Sequence, residues 1–183
     1  MVATALKSLE TATIGNGQIF ALLQQLSAEL LANESATAVL EKWCVDLAIA
    51  EVATIIAHPI DGPIRAPSDE TRARLKVGDD TAITYRNVAL MCGDITLSVA
   101  QNWYVPERLT PEMNAVLASS EIPFGKVIAP LNPTRETLNT IFLWAPSDII
   151  PQNLLEQSAI LSSGDGLPIA AVIETYQRGV FGV

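Results

Sequence analysis

The stretch AITYRNVALMCGDITLSVAQNWYV, Ala82 to Val105, carries the clearest strand pattern of the chain. It holds two runs rich in β-branched, aliphatic and aromatic residues, Ala82 to Met91 and Ile95 to Val105, with Cys92-Gly93-Asp94 between them. Two such runs joined by a short turn that contains glycine are typical of a β-hairpin. The stretch therefore predicts two adjacent antiparallel strands, around which the other elements are placed.

The rest of the sequence predicts further strands and several helices. The predicted strands are Val45 to Ala57 with a bulge near Glu51, Thr134 to Trp144, Gln157 to Leu161, and Pro168 to Gln177. The predicted helices are Ile19 to Leu31, Ala36 to Trp43 with Ser35 as its N-cap, a turn at Asp69 to Leu75, and Glu107 to Ser119 with a kink or restart at Pro111. Because strands and helices do not alternate regularly, we expect an α+β fold, an antiparallel sheet with flanking helices.

The length of 183 residues fits one domain with a substantial core. We expect residues 1–18 to be a flexible lead-in that ends near Gly15-Asn16-Gly17, and residues 19–183 to form the single domain. No run of about 20 apolar residues and no secretory signal is visible, so we expect a cytoplasmic monomer without a membrane span.

Charge and cysteine usage exclude several classes of function. The net charge is −9, and no segment concentrates Lys or Arg into a stripe, which disfavours binding of nucleic acid. The chain has one histidine, His58, and two distant cysteines, Cys44 and Cys92, which we interpret as core thiols. We therefore expect no metal site and no cofactor. Motifs of kinases, nucleotide-dependent dehydrogenases and α/β-hydrolases are absent from the sequence.

Two charged residues are predicted on the same strand face as apolar residues, because side chains two positions apart in a strand point to the same side. Arg86 shares a face with Val88 and Leu90, and Glu174 shares a face with Val172. One interpretation is a structural ion pair between Arg86 and Glu174, or strand faces that are open to solvent. The other is a binding site in which Arg86 holds a carboxylate through its guanidinium and Glu174 supplies or removes a proton.

Other candidates for a site are weaker. The helix start after Ser35 and the turn Pro123-Phe124-Gly125 offer backbone N–H groups to an anion. Arg135 is a further donor, although an exposed position is the simpler interpretation of its charge. The aromatic residues that core packing or a ring pocket would use are Trp43, Trp103, Tyr104, Phe124, Phe142 and Trp144.

Several of these segments resemble the chorismate-pyruvate lyase family, and they occur in the same order. The matching segments are Leu31 to Thr37, Tyr85 to Leu90 followed by Gly93, Ala100 to Pro106, Ile122 to Ile128, and Leu167 to Glu174. The resemblance runs from about residue 20 to the C-terminus.

This resemblance implies helical flaps over a buried ligand pocket and conversion of chorismate to 4-hydroxybenzoate and pyruvate, a carbon–oxygen lyase reaction that supplies a quinone precursor. It further implies that Arg86 and Glu174 are catalytic and that neither a metal nor a cofactor takes part. Arg86 would bind a carboxylate, backbone groups of Ala36 and Phe124 would hold the ligand, and Glu174 would face the leaving enolpyruvyl group.

The sequence also departs from the family. Ala36 stands where the family has a bulkier residue, Phe124 replaces an aliphatic one, and Leu154 to Leu161 lacks basic residues found in some relatives. The same fold serves the UTRA effector-binding domains of bacterial transcription regulators, which bind small ligands without reacting them. The alternative function is therefore a non-catalytic domain that binds an aromatic acid or senses an effector.

Overall fold

The computed structural model describes residues 15–147 and 149–182 and shows an α+β fold. Within these residues, six antiparallel strands form one sheet in the order β1-β2-β3-β6-β5-β4. The strands are β1 (Ile55–Pro59), β2 (Thr84–Cys92), β3 (Ile95–Tyr104), β4 (Thr134–Phe142), β5 (Asn153–Ser162) and β6 (Pro168–Gln177). The α-helices are α1 (Asn16–Leu31), α2 (Ala36–Asp46), α3 (Asp69–Leu75), α4 (Pro111–Ser119) and α5 (Phe124–Val127). This architecture confirms the predicted fold class.

The predicted hairpin is confirmed, because β2 and β3 pair in register from Thr84 opposite Tyr104 to Cys92 opposite Ile95. Gly93 in the turn has a φ of +55°, a left-handed conformation that glycine adopts without a steric cost. A Cβ added at this glycine would lie 2.8 Å from the Cβ of Ala50. The turn therefore needs glycine both for its backbone conformation and for its close packing.

The two faces of the sheet have different covers. On the face that carries Ala100 and Tyr176, which we call the inner face, α1 and α2 pack to form the larger core cluster. Helices α4 and α5 cover another part of the same face, where they pack on Ala170 and Val172 of β6. Helix α3 lies on the opposite face, where Leu75 joins a small apolar cluster. The inner face therefore carries most of the helical cover.

The prediction of one long strand from Val45 to Ala57 is wrong. Helix α2 continues to Asp46, and strand β1 begins only at Ile55. Val45 is 61 % exposed and Val52 is 69 % exposed, so the run of aliphatic residues does not mark a buried strand face. An ion pair between Lys42 and Asp46, four residues apart at 3.0 Å, supports the last helical turn instead.

Helix α1 begins at Asn16, three residues before the start of the domain that the sequence predicts. Residues 1–14 of the expected lead-in lie outside the described residues. Among the helices that the structure describes, none is long and apolar enough to cross a membrane.

The two cysteines are not the separate core thiols that their sequence spacing indicates. Cys44 in α2 and Cys92 in β2 form a disulfide, with Cα atoms 6.4 Å apart and a sequence separation of 48. Both residues are fully buried. The pairing arises because α2 packs against the end of β2, a long-range contact that no local spacing reveals. The bond links a helix over the inner face to the central hairpin.

Candidate functional site

A cavity lies between the inner face and two roof segments, Glu34 to Thr37 and Pro123 to Gly125. Its floor comes from four strands, with Val88 and Leu90 of β2, Ala100 and Asn102 of β3, Leu161 of β5, and Val172 and Glu174 of β6. Ile128, Pro133 and Arg135 complete the wall. A concave space lined mainly by apolar side chains with a few polar groups is typical of a small-molecule site.

The roof segments are held close together over this floor. A Cβ added at Gly125 would lie 3.4 Å from Oγ1 of Thr37 and 3.8 Å from Oγ of Ser35, so the backbone at Gly125 runs directly beside the start of α2. The backbone N–H of Arg135 also donates to the carboxylate of Glu34. These contacts join the α1–α2 connection to the α5 segment and to β4.

Glu174, Arg135 and Tyr176 form a polar cluster at the cavity wall. Nη2 of Arg135 lies 2.6 Å from Oε2 of Glu174, and the Tyr176 hydroxyl donates to the same oxygen at 3.0 Å. The side chains of Arg135 and Glu174 are only 3 % and 10 % exposed. Arg135 is therefore a buried partner of Glu174, and the interpretation of Arg135 as an exposed charge is wrong.

Electrostatics at this cluster reflect burial and the neighbouring charges. Burial acts to lower the pKa of Arg135, but the charge of Glu174 outweighs it together with smaller contributions, and the pKa lies above its ordinary value. For Tyr176, burial first and the charge of Glu174 second raise the pKa well above its ordinary value. Arg135 thus stays charged, and Tyr176 keeps its proton at neutral pH.

Three polar atoms or groups at the cavity remain without a partner. Nε of Arg135 is buried and donates to no acceptor within the described ranges. Oε1 of Glu174 accepts no hydrogen bond from any of the described residues, since both donors use Oε2. The Asn102 amide, in a residue that is 3 % exposed, likewise makes none with the part of the chain that the structure describes. These groups are available to a ligand.

The start of α2 adds backbone donors to the roof. Ser35 is the N-cap, and its hydroxyl accepts from the N–H of Ala38 at 3.2 Å. The N–H groups of Ala36 and Thr37 belong to the first turn and have no acceptor within the helix. Because the N-terminal end of a helix carries a partial positive charge, an anion near these groups is stabilised.

Arg86 does not lie with Glu174. Its strand β2 is separated from β6 by β3, and its Nη2 donates to the backbone oxygens of Ser120 and Ile122, both at 3.3 Å. Burial lowers the pKa of this guanidinium. The structural ion pair between Arg86 and Glu174 is therefore absent from the described residues, because Glu174 pairs with Arg135 instead.

The other two predicted site residues, Ala36 and Phe124, line the same cavity as Glu174. Phe124 is 5 % exposed, and its ring centroid lies 5.4 Å from that of Tyr104. The sequence thus identifies Ala36, Phe124 and Glu174 among the lining residues, names Arg135 as a further donor, and misses Asn102. The alternation of side chains along β3 could have predicted Asn102, since it lies two positions after Ala100 and therefore on the same, inner face.

The cavity is small in this closed arrangement. Its volume is about 50 Å³, whereas a cavity of roughly 150 Å³ holds benzene. A ring-sized ligand therefore requires outward movement of the roof. In the ranges that the structure describes, no group of three or more His, Cys, Asp or Glu side chains is arranged to hold a metal ion.

Comparison with known proteins identifies a relative. The chain is 40 % identical over 181 residues to the uncharacterized protein y4mC of Sinorhizobium fredii (strain NBRC 101917 / NGR234), an alignment that covers 89 % of this chain and 76 % of y4mC. The chain belongs to the same family as y4mC. No family model matches the chain.

Solved structures with a similar fold are more distant in sequence. The effector domain of PhnF from Mycobacterium smegmatis matches with a TM-score of 0.51 and 9 % identity, over 69 % of this chain and 82 % of that one. The possible transcriptional regulator YydK from Bacillus subtilis matches with a TM-score of 0.47 and 17 % identity, over 69 % of this chain and 59 % of YydK. The likeness to the PhnF domain agrees with the chorismate lyase-like fold expected from the sequence. Membership of the lyase family itself stays a prediction.

Proposed function

We propose that the chain is a small-molecule-binding domain whose ligand is a hydroxylated aromatic acid held in the inner-face cavity. The observation that carries this proposal is the buried cluster of Arg135, Glu174 and Tyr176 at the wall of a mostly apolar cavity. A binding role is also in keeping with the shared fold, since the PhnF structure is that of an effector domain.

The hydroxyl group of the ligand is matched by Glu174. Arg135 and Tyr176 occupy Oε2 and fix the carboxylate, while Oε1 remains free to accept a hydrogen bond. A ligand hydroxyl that donates to Oε1 forms a hydrogen bond to a carboxylate, which contributes about 1.5–3 kcal/mol. A phenolic or alcoholic donor is therefore favoured over an apolar substituent.

The ring of the ligand is matched by the apolar floor. Val88, Leu90, Ala100 and Val172 present aliphatic surface to the cavity, and Phe124 adds an aromatic ring from the roof. Burial of apolar area contributes about 25 cal/mol per Å². A flat, carbon-rich ligand therefore gains most of its affinity from this surface, and the polar groups orient it.

The acid group of the ligand is matched by local donors rather than by the overall charge of the protein, which is −9. Arg135 balances Glu174 within the cavity. An entering carboxylate then meets the positive end of α2 and the free amide of Asn102. The binding of an anion by an acidic protein is thus explained by a few buried groups.

The proposal is tested by the thermal stability of the purified protein with 4-hydroxybenzoate, benzoate and cyclohexane carboxylate. We expect 4-hydroxybenzoate to raise Tm most, because it alone offers a phenolic donor to Glu174. In Glu174→Gln the preference for the hydroxylated acid should disappear. Glu136→Gln, at an exposed carboxylate of β4, is the matched control and should behave like the wild type. A wild type that responds to none of the three acids contradicts the proposal.

A second candidate function is the lyase reaction on chorismate. The observation that favours it is that Ala36, Phe124 and Glu174, which the family resemblance assigns to one site, line one cavity. In this reaction the C–O bond between the ring and the enolpyruvyl group breaks, the ring loses a proton and becomes aromatic, and the enolpyruvate gains a proton to give pyruvate. In this reaction Glu174 would take up the proton of the ring and return it to the enolpyruvate.

Arg86 is the residue that distinguishes the two candidates. For the lyase role its guanidinium has to turn from the oxygens of Ser120 and Ile122 toward the substrate carboxylate. The test is the release of pyruvate from chorismate, measured with lactate dehydrogenase. If pyruvate forms and Arg86→Ala removes most of the rate, the protein is a lyase. If no pyruvate forms while 4-hydroxybenzoate binds, the protein is a binding domain.

A further inference from the structure

Four residues of the cavity floor form a square on the inner face. Asn102 of β3 is paired with Val172 of β6, and the next inner-face pair is Ala100 with Glu174. The two polar residues therefore occupy one diagonal of the square, and the two apolar residues occupy the other. Diagonal neighbours on one face of a sheet lie about 7–8 Å apart. A six-membered ring that lies on Ala100 and Val172 thus has Glu174 at one end and Asn102 at the opposite end.

Asn102 lines the cavity without a side-chain partner among the described residues. The residue is 3 % exposed and lines the cavity, yet its side chain forms no hydrogen bond with another residue of the described ranges. Its capacity to donate and accept hydrogen bonds is therefore open to a molecule in the cavity. Its neighbours Ala100 and Val172 on β3 and β6 carry no polar side chain that could supply one. The missing partner is therefore expected to come from a molecule in the cavity.

The polarity of the two ends decides which group of a ligand lies at each. Oε1 of Glu174 has no donor among the described residues and can accept a hydrogen bond, so the hydroxyl lies there. The amide of Asn102 can donate through Nδ2, and its cross-strand partner on β2 is Arg86. Nη1 of Arg86 is buried without a partner among the described residues. The Asn102 end of the square thus combines a free donor with a nearby positive charge, which suits a carboxylate.

We infer that Asn102 binds the carboxylate of the ligand and makes the cavity selective for rings that carry a carboxylate and a hydroxyl at opposite positions. This inference rests on the proposed function, because it assigns the two ends of the same ligand. Such a site distinguishes 4-hydroxybenzoate from its 3-hydroxy isomer. While the carboxylate stays on Asn102, a hydroxyl at the 3-position cannot reach Glu174. Asn102 is therefore a specificity-determining residue.

The test compares the binding of 4-hydroxybenzoate, 3-hydroxybenzoate and 4-hydroxybenzamide by calorimetry. We expect the wild type to prefer 4-hydroxybenzoate over its isomer by about tenfold or more, the value of one hydrogen bond to a charged group. Asn102→Ala should lose this preference. Asn102→Asp replaces the donor by an acceptor, so it should reject both acids and bind 4-hydroxybenzamide, whose amide N–H can donate to the new carboxylate. A residue with only a structural role would not exchange ligands in this way.

The control is Gln101→Ala. Gln101 is the adjacent residue of β3, points to the other face and accepts a hydrogen bond from Arg65 at 3.3 Å, so its loss should leave the preference intact. If the wild type binds but does not separate the isomers, or if both Asn102 variants bind like the wild type, the inference is overturned and the proposed function stands. If the wild type binds none of the three compounds, both fail. Circular dichroism of each variant checks that it is folded, and Asn102→Ser replaces any variant that is not.

Discussion

Arg135 and Glu174 lie 39 positions apart in the sequence, yet Nη2 of the first is 2.6 Å from Oε2 of the second. Arg135 belongs to the edge strand β4, and Glu174 belongs to β6 near the middle of the sheet. Both side chains are nearly excluded from solvent. The ion pair thus joins the edge of the sheet to its centre and fixes the carboxylate that faces the cavity.

Removal of one partner of this pair should destabilise the protein strongly. Because the remaining charge stays buried without compensation, we expect Arg135→Met or Glu174→Gln to lower the free energy of unfolding, with a cost of about 3 kcal/mol for the loss of Arg135. The double variant should cost less than the sum of the two single variants. Urea denaturation at constant pH measures all three.

The matched control is the pair of Arg74 and Glu70, whose side chains are 44 % and 76 % exposed. Such a pair contributes less than about 1 kcal/mol, so Arg74→Met should have little effect. Additive effects of the two single variants at Arg135 and Glu174 would show that the buried pair is not coupled.

Tyr176 should make the stability fall at alkaline pH. Burial and then the charge of Glu174 raise its pKa well above the ordinary value, which is about 10. The native protein therefore keeps a proton that the unfolded chain releases, and the contribution of Tyr176 is complete below pH of about 10 and decreases as the pH rises above it. We expect the free energy of unfolding between pH 8 and 11 to fall more steeply for the wild type than for Tyr176→Phe. Equal slopes for the two proteins would refute this role.

The disulfide between Cys44 and Cys92 should contribute to stability. It closes a loop of 48 residues, for which loop-closure entropy gives about 4 kcal/mol. We expect thiol titration of the unfolded, unreduced protein to find no free thiol, and Cys44→Ala/Cys92→Ala to unfold at lower urea concentration. Two titratable thiols in the freshly purified protein would count against the bond.

The roof of the cavity should be less protected than its floor until a ligand binds. Its volume of about 50 Å³ is too small for a ring, so the roof segments 34–37 and 123–125 have to open for entry. We expect 4-hydroxybenzoate to slow amide hydrogen exchange in these two segments and to leave the exchange of β3 and β6 nearly unchanged. Segment 69–75, on the opposite face of the sheet, serves as the internal control. Uniform protection across the chain would point to global stabilisation instead.

The central sheet could be predicted from the sequence because its signals are local. The β2–β3 hairpin has alternating residues and a glycine turn, and the last strand is predicted and observed at Pro168–Gln177. Strand parity alone places Glu174 on the inner face. The strand predicted from Val45 to Ala57 fails because a short aliphatic run fits a helix end and a strand equally well.

The partner of Glu174 could not be predicted in this way. Arg135 precedes Glu136 near the start of a polar edge strand, and the register shifts between Thr137 and Asn139. The alternation of side chains between the two faces is therefore interrupted within β4. The burial of Arg135 depends on the pairing of β4 with β5 and on the contact with Glu34 from a distant roof segment. Such long-range contacts leave no local pattern in the sequence.

The role of Glu174 in ligand binding is tested by calorimetric titration of 4-hydroxybenzoate into the wild type and Glu174→Gln. We predict one binding site per chain in the wild type and a loss of affinity of about tenfold or more in Glu174→Gln, because the amide is a weaker acceptor than the carboxylate for the ligand hydroxyl. Equal affinities in the two folded proteins, or no heat of binding in the wild type, would contradict the claim that Glu174 and its cavity form a ligand-binding site.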